Sequence, residues 1–233
     1  MYKHLFFDMD QTLAPARQLI LPEMFDLVSK LLQDIIIVSG QEVVKIEKQS
    51  NQLMAYRLGQ NGNHAVDSEG NELWYAPLHK HERTEVLAHI EKLIDLLADK
   101  PNPEWHPIED RGGQITFSPI GNTAPTEIKT AYDPDRSKRV SMLARKPFNS
   151  RDMTIKQGGS TSFDYINKHR HKGFNVQKLI DLKGWKKEEC IYFGDGLFPG
   201  GNDEAVIGVI ETVPVRDHHH TYSLLQEMFG QSK

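Results

Sequence analysis

The sequence is poor in cysteine, in net charge and in long hydrophobic runs. Its 233 residues include one cysteine, Cys190, which excludes an internal disulfide bond. The formal net charge at pH 7 is only -4, so no overall basic field attracts nucleic acid or an anionic membrane surface. The longest aliphatic run, Ile35–Val38, is far too short to span a bilayer. We therefore expect a soluble, cytoplasmic protein that binds neither nucleic acid nor membranes.

Near the N-terminus, short apolar strands alternate with amphipathic helices. Strands are predicted at Lys3–Phe7 and Asp34–Val38, and each is followed by a helix, at Pro22–Gln33 and at Glu42–Gln49. Strands that are apolar throughout are typical of a parallel sheet covered by helices on both faces. The same alternation returns late in the chain, with predicted elements at Phe174–Leu182, Ile191–Phe193, Ala205–Ile210 and Tyr222–Phe229.

The middle of the chain has a different pattern. A predicted hairpin over Ala65–Tyr75 and a predicted helix over Glu82–Asp99 precede a segment, residues 101–107, in which three prolines exclude a helix. Short strands and one helix, at 134–145, follow; the strands are predicted at Gln114–Phe117, Met153–Gln157 and Thr161–Ile166. The sequence thus predicts a doubly wound α/β unit over residues 1–80 and 168–233, with a smaller α+β unit inserted over residues 81–167.

Two aspartates stand at the end of the first predicted strand. Asp8 and Asp10 follow the apolar Phe6 and Phe7 and precede Thr12. Carboxylates at the end of a buried strand are costly unless a cation binds there. A carboxylate beside Mg²⁺ can attack phosphorus to form an aspartyl phosphate, and a second carboxylate can protonate the leaving oxygen and later activate water. For an isolated Asp-X-Asp pattern, a strand that merely ends in a polar turn would be the better interpretation.

A second acidic segment follows the predicted strand Ile191–Phe193. Asp195 comes directly after Gly194, and a glycine-rich loop then leads to Asn202 and Asp203. The carboxyl ends of parallel strands meet at one edge of a sheet, where ligands bind. Mg²⁺ takes hard oxygen ligands from one or two carboxylates and retains several waters. The two acidic segments together therefore predict a magnesium site.

A hydroxyl and an ammonium group accompany the acidic segments. Ser39, with Gly40, ends the second predicted strand, and Lys172 precedes a helix. Taken singly, Ser39 would be a helix cap and Lys172 a solvated lysine. Together with the acidic segments, they supply the donors that a transferring phosphoryl group needs on its equatorial oxygens.

In this order, the four segments resemble the motifs of the haloacid dehalogenase superfamily over nearly the whole chain. The resemblance implies that Asp8 is the nucleophile and Asp10 the general acid and base. It implies Mg²⁺ bound by the carboxylates of Asp8 and Asp195 and by the backbone carbonyl of Asp10. It further implies that Asp203 and Asn202 lie at the metal and its waters. The residues that it implies at the phosphoryl group are Thr12, Ser39, Gly40 and Lys172.

Within the superfamily, the chain is most similar to the eukaryotic-type phosphomannomutases. The similarity lies in Asp8–Gln18, Ser118–Gly121, Gly158–Asp164 and Pro199–Asp203. It implies that the inserted unit is a cap domain that determines substrate specificity. The residues implied to bind the sugar phosphate are Arg17, Arg111, Lys129, Ser162 and Asp164.

Four positions depart from the phosphomannomutase pattern. Asn122 and Lys129 stand where the family usually has arginines, Gln11 replaces a glycine, and His171 replaces an aspartate. The loss of two planar, bidentate phosphate ligands weakens the case for a mutase, which must hold one phosphate while its substrate reacts at the other end. The cations available as substitutes are Lys129, Lys138, Arg139 and Arg145.

These features predict Mg²⁺-dependent phosphoryl transfer on a sugar phosphate or a similar small phosphomonoester. A phosphatase is the simplest form of this activity, and a phosphohexose mutase is the alternative because it needs the same core residues. A binding protein that kept the fold without catalysis is a remote third hypothesis. The resemblance leaves open a homodimer formed through the inserted unit, and the residues themselves predict no oligomeric state.

Overall fold

The computed structural model describes residues 1–230 and divides into two compact units. The core unit comprises Met1–Tyr75 and the chain from Arg170 onward, and the inserted unit comprises Ala76–His169. The sequence predicts these boundaries after residues 80 and 167. The first falls earlier because Leu78 packs in the apolar core of the inserted unit and its backbone N–H donates to the Gly112 carbonyl.

The described residues form eleven strands and seven α-helices. The strands are β1 (His4–Asp8), β2 (Asp34–Val38), β3 (Tyr56–Gly59), β4 (His64–Val66), β5 (Glu72–Tyr75), β6 (Ile108–Asp110), β7 (Gln114–Phe117), β8 (Met153–Gly158), β9 (Ser162–Asn167), β10 (Cys190–Gly194) and β11 (Glu211–Pro214). The helices are α1 (Pro22–Val28), α2 (Val43–Gln49), α3 (Lys80–Ile94), α4 (Thr126–Tyr132), α5 (Ser137–Arg145), α6 (Lys172–Lys183) and α7 (His218–Phe229).

The core unit is built on a seven-stranded sheet in the order β11-β10-β1-β2-β3-β4-β5. Its strands are parallel from β11 to β3, whereas β4 and β5 are added antiparallel. Successive side chains of β1 point to opposite faces, so Leu5 and Phe7 pack against α1, α2 and α7 while Phe6 packs against α6. The sheet is thus doubly wound, and β1 lies inside it between β10 and β2, buried on both faces.

The inserted unit is an α+β structure with a four-stranded antiparallel sheet in the order β6-β7-β9-β8. Its apolar core contains residues of β7 and β9 packed against α3 and α5, with Phe117 and Phe163 stacked at its centre. A buried ion pair, Arg139 with Asp133 at 2.7 Å, links the start of α5 to the chain just after α4.

One predicted strand is wrong, and one predicted helix begins later than predicted. The predicted strand Ala205–Ile210 is a turn that opens with the short 3-10 helix Glu204–Val206, and the strand of this region, β11, begins only at Glu211. The apolar run does not form a strand because Gly208 has a φ of 84° and the Asp203 carbonyl accepts a turn bond from the Val206 N–H. The predicted helix at 134–145 begins at Ser137, and α4 before it was not predicted.

No described helix is both long enough and apolar enough to cross a membrane.

Candidate active site

Three carboxylates converge at the carboxyl ends of neighbouring strands. Asp8 is the last residue of β1, and Asp195 directly follows β10, which pairs with β1 in parallel register. The loop after β10 returns Asp203 to the same edge. One oxygen from each carboxylate lies within 4.8 Å of the other two, and Asp8 and Asp203 are buried while Asp195 is half-buried.

Lys172 joins two of these carboxylates. Its Nζ donates to Asp8 Oδ1 and to Asp203 Oδ1, both at 2.6 Å, and the side chain is only 2% exposed. Lys172 is the first residue of α6, and the next residue, Gly173, lies so close to the turn after Asp203 that a Cβ there would stand 1.7 Å from the Ala205 carbonyl oxygen. Glycine at this position therefore allows the start of α6 to reach the carboxylates.

Asp203 is held by two further donors. The Tyr192 hydroxyl donates to Asp203 Oδ1 at 2.7 Å, and the Gly196 N–H donates to Asp203 Oδ2 at 3.1 Å. Burial, with the adjacent carboxylates of Asp203 and Asp8, holds the pKa of Tyr192 well above its usual value, so the hydroxyl remains a donor. Sequence reasoning missed Tyr192; the available signal was its polar group in a strand that is otherwise wholly apolar.

The cluster carries an excess of buried negative charge. Burial raises the pKa of Asp8 to about 8, with the Asp203 and Asp195 carboxylates adding to the effect and Lys172 opposing it. Burial and Asp203 likewise raise the pKa of Asp195. Desolvation lowers the pKa of Lys172, but its two carboxylate partners outweigh that effect and raise it overall. Three carboxylates against one ammonium, with hard oxygen donors, fit a divalent cation such as Mg²⁺.

Asp10 lies just beyond β1 and makes a different set of contacts. Its Oδ1 accepts from the Arg17 N–H and from Gln49 Nε2, each at 2.7 Å, and its Oδ2 accepts from Gln41 Nε2 at 3.1 Å. Neither glutamine was singled out from the sequence, because a glutamine after a strand or at the end of a helix does not differ in pattern from a solvated one. Arg17 itself is exposed and contacts Asp10 through its backbone N–H.

The remaining predicted site residues of the core unit lie in the loops that follow β1, β2 and β10. Thr12 is fully buried, and its Oγ1 accepts the Asp195 N–H at 3.0 Å, so it orients the loop that bears Asp195. Ser39, with Gly40, follows β2, and Ser39 Oγ accepts the Gln41 N–H at 3.2 Å. Asn202 is exposed, but its Oδ1 lies so near Gly196 that a Cβ there would stand 1.8 Å away.

The residues predicted to bind sugar phosphate lie in the inserted unit, apart from Arg17. Ser162 and Asp164 stand two residues apart on β9, where Ser162 Oγ donates to the Gly158 carbonyl at 2.9 Å and Asp164 Oδ1 accepts from Thr116 Oγ1 at 2.7 Å. Arg111 follows β6 and forms an ion pair with Glu109 at 2.7 Å.

The cations named as substitutes for the family's arginines are partly engaged within the inserted unit. Lys129 is buried, and its Nζ donates to the Asn122 carbonyl at 2.6 Å. Arg139 is 1% exposed and contacts Asp133 and three backbone carbonyls of the β8–β9 turn. Lys138 lies over the Tyr132 ring, 4.4 Å from its centroid. The structure therefore removes Arg139 from the candidates, because its guanidinium holds the turn.

Solved structures share this architecture. The structure of a haloacid dehalogenase-like hydrolase from B. subtilis matches 97% of this chain and 100% of its own, with a TM-score of 0.66 and 14% identity. That of an N-terminally truncated, IMP-bound IMP-nucleotidase from Plasmodium falciparum matches 98% of this chain and 68% of its own, with a TM-score of 0.69 and 16% identity. At such low identity these matches show the fold, which is that of the haloacid dehalogenase superfamily.

The fold, together with the sequence matches given next, assigns the chain to the haloacid dehalogenase superfamily. Curated phosphomannomutases are similar in sequence: that of Schizosaccharomyces pombe is 29% identical over 252 residues, covering 97% of this chain and 94% of that protein. The phosphomannomutase of Spinacia oleracea is 30% identical over 222 residues, covering 89% of this chain and 87% of its own. The chain belongs to the eukaryotic phosphomannomutase family, whose model matches residues 24–230.

Proposed function

We propose that the protein is a phosphohexose mutase that moves a phosphoryl group between a sugar phosphate and Asp8. Its similarity to curated phosphomannomutases and to the phosphomannomutase family model supports this function better than hydrolysis, the simplest form of the activity predicted from the sequence. The structural observation on which it rests is the buried Asp8 carboxylate, 2.6 Å from Lys172 Nζ and within a cluster of three acids.

In the first half-reaction, an Asp8 oxygen attacks the phosphorus atom and the bond from phosphorus to the sugar oxygen breaks. Asp10 gives its proton to the departing oxygen, which becomes a hydroxyl group. Lys172, with Ser39, donates to the phosphoryl oxygens and reduces their repulsion of the Asp8 carboxylate. A bound Mg²⁺, held by Asp8, Asp195 and the Asp10 carbonyl with Asp203 and Asn202 around its waters, would supply further positive charge at the phosphoryl group.

In the second half-reaction, a hydroxyl of a phosphorylated sugar attacks the aspartyl phosphate. Asp10, now ionised, accepts the proton of that hydroxyl, and the bond between phosphorus and Asp8 breaks. Arg111, Ser162 and Asp164 of the inserted unit bind the sugar phosphate at the end that does not react. The phosphoryl group is therefore accepted by a sugar rather than by water. Such a role requires charge-assisted hydrogen bonds to a phosphate or to hydroxyl groups.

Hydrolysis is the second candidate, and one observation favours it. At the two positions where arginines are expected, the side chains bond to the inserted unit's own backbone: Asn122 Nδ2 donates to the carbonyls of His106 and Pro107, and Lys129 Nζ donates to the Asn122 carbonyl. A weaker hold on the unreactive phosphate would leave water as the acceptor of the phosphoryl group.

The deciding experiment is a panel of hexose phosphates with Mg²⁺, with and without a hexose bisphosphate, scored for both isomerised sugar phosphate and released phosphate. We expect isomerisation to exceed release when the bisphosphate is present. The wild type should yield a trappable phosphoenzyme that is absent from Asp8→Asn and retained in Asp26→Asn, a control for an exposed aspartate on α1. Release without isomerisation would make the protein a phosphatase, and turnover by Asp8→Asn would exclude the covalent mechanism.

A further inference from the structure

Asp10 belongs to a closed ring of side-chain hydrogen bonds with two glutamines. Gln49 Nε2 donates to Asp10 Oδ1 at 2.7 Å, Gln41 Nε2 donates to Asp10 Oδ2 at 3.1 Å, and Gln41 Nε2 also donates to Gln49 Oε1 at 2.7 Å. With the Arg17 N–H, three donors hold the carboxylate from both of its oxygens. An aspartate has two freely rotating torsions, so contacts on both oxygens fix its orientation.

The glutamines are themselves anchored through their backbones. The Gln41 carbonyl accepts the Gln60 N–H at 2.7 Å, and the Gln41 N–H donates to Ser39 Oγ at 3.2 Å. Gln49 ends α2, its carbonyl accepts the Ile20 N–H at 2.8 Å, and the residue is 7% exposed. A buried amide held in this way loses little further freedom when it binds the carboxylate, so the ring is built before substrate arrives.

We propose that Gln41 and Gln49 are positioning residues that aim the Asp10 carboxyl group at the oxygen that leaves the phosphorus atom. The inference rests on the proposed role of Asp10 as the proton donor and acceptor. A sugar oxygen is a poor leaving group and needs that proton as its bond to phosphorus breaks, whereas an aryl oxide leaves without one. The effect of substituting the glutamines on the rate should therefore depend on the leaving group. A general structural defect would slow the reaction with either leaving group.

The test compares phosphoenzyme formation in a single turnover from a hexose phosphate and from an aryl phosphate, at saturating Mg²⁺. For Gln49→Met and Gln41→Met, we expect the rate of phosphoenzyme formation to fall about tenfold or more with the hexose phosphate and to change little with the aryl phosphate. The loss should be smaller than that caused by removing a general acid altogether. Gln177→Met is the matched control, because it removes an amide-to-aspartate bond of the same 2.7 Å length on α6. Equal losses with both substrates would overturn the proposal.

A double-mutant cycle separates this inference from the proposed function. If the glutamines act through Asp10, Gln49→Met should slow the hexose phosphate reaction in the wild type but add nothing to Asp10→Asn. If Gln49→Met slowed Asp10→Asn by the same factor as it slows the wild type, the inference would be overturned and the role of Asp10 would stay intact. An Asp10→Asn variant as fast as the wild type would overturn both. Should buried Gln49→Met fail to fold, the half-exposed Gln41→Met gives the same cycle.

Discussion

Gln11 occupies a backbone conformation that disfavours its own side chain. Its φ is 63°, in the left-handed region, and its N–H donates to the Ala14 carbonyl in the tight loop that follows β1. The phosphomannomutase resemblance expects glycine at this position, and the observed torsion explains why. A residue with a Cβ costs roughly 1 kcal/mol in this region, whereas glycine costs almost nothing.

We therefore expect Gln11→Gly to be more stable than Gln11→Ala by about 1 kcal/mol in the free energy of unfolding, because only glycine relieves the strained torsion. Urea denaturation of the two variants measures the difference. The same pair at exposed Gln18, which does not have a positive φ, should show the opposite order, since glycine there only adds freedom to the unfolded chain. A less stable Gln11→Gly would show that the loop is not strained.

The sequence signalled some site residues and could not signal others. Asp8, Asp195 and Lys172 stand at strand or helix ends within motifs, and parallel topology brings such ends to one edge. Gln41 and Gln49 meet Asp10 only through the packing of α2 against the sheet, which depends on side-chain geometry that no sequence spacing specifies.

At the scale of elements, the start of α6 depends on His171. Its Nδ1 accepts the Phe174 N–H at 3.2 Å, so the imidazole caps the helix whose first residue, Lys172, binds Asp8. Aspartate is the residue that the resemblance expects here, and it is itself a favoured helix cap. Histidine in place of the expected aspartate therefore still caps the start of α6.

Substitution of His171, which caps α6, should affect both stability and phosphate binding. We expect His171→Ala to lower the free energy of unfolding by about 1 kcal/mol and to weaken inhibition by inorganic phosphate, because Lys172 loses its fixed position; His171→Asp should restore both. The control is Asp217→Ala, which removes the cap of α7, where Asp217 Oδ1 accepts the His220 N–H at 2.9 Å. Equal weakening of phosphate inhibition by both alanine variants would contradict this role.

The elements themselves were predictable where the pattern was long and regular. The prediction of β2 matches the observed strand, and the doubly wound α/β class follows from the same apolar strands. The prediction failed at β11, since an apolar run beside Gly208 reads as a strand although the chain turns there. It also missed α4, a seven-residue helix that ends next to the buried Arg139–Asp133 pair.

For the whole molecule, the buried carboxylates link stability to pH and to Mg²⁺. The pKa of Asp8 in the folded protein, about 8, exceeds its ordinary value of 3.8, so the folded state retains a proton that the unfolded state loses. In the absence of metal, this group makes the protein less stable as the pH rises from about 4 to 8. Mg²⁺ bound at the ionised carboxylate, as proposed above, would displace that proton.

We therefore expect a given Mg²⁺ concentration to raise Tm more at pH 8 than at pH 6, because fewer protons compete for Asp8. Thermal unfolding at both values, with and without Mg²⁺, measures the difference. In Asp8→Asn the pH dependence of the Mg²⁺ effect should become smaller, because Asp195 remains as the other ligand with a raised pKa, whereas Asp26→Asn should keep it in full. An Mg²⁺ effect of the same size at both pH values in the wild type would contradict the assignment of Asp8 as a ligand.

The inserted unit should act on substrate selection rather than on the chemical step. We expect Arg111→Ala to lower kcat/KM for hexose phosphates by about tenfold or more, the loss of one charge-assisted bond, and to leave hydrolysis of a small aryl phosphate nearly unchanged. Steady-state kinetics with both substrates measures this, with exposed Arg151→Ala as the control in the same unit. A similar loss with the aryl phosphate would assign Arg111 to the reaction itself or to folding.

The pairing of β1 with β10 also has a consequence for synthesis. His4 aligns with Cys190, so the strand that ends in Asp8 lacks one neighbour until most of the polypeptide has left the ribosome. The inserted unit, whose apolar core lies between residues 78 and 165, can fold before then. In that interval the edge of β1 that later pairs with β10 stays unpaired, and an unpaired strand edge exposes a nascent or prematurely terminated chain to aggregation.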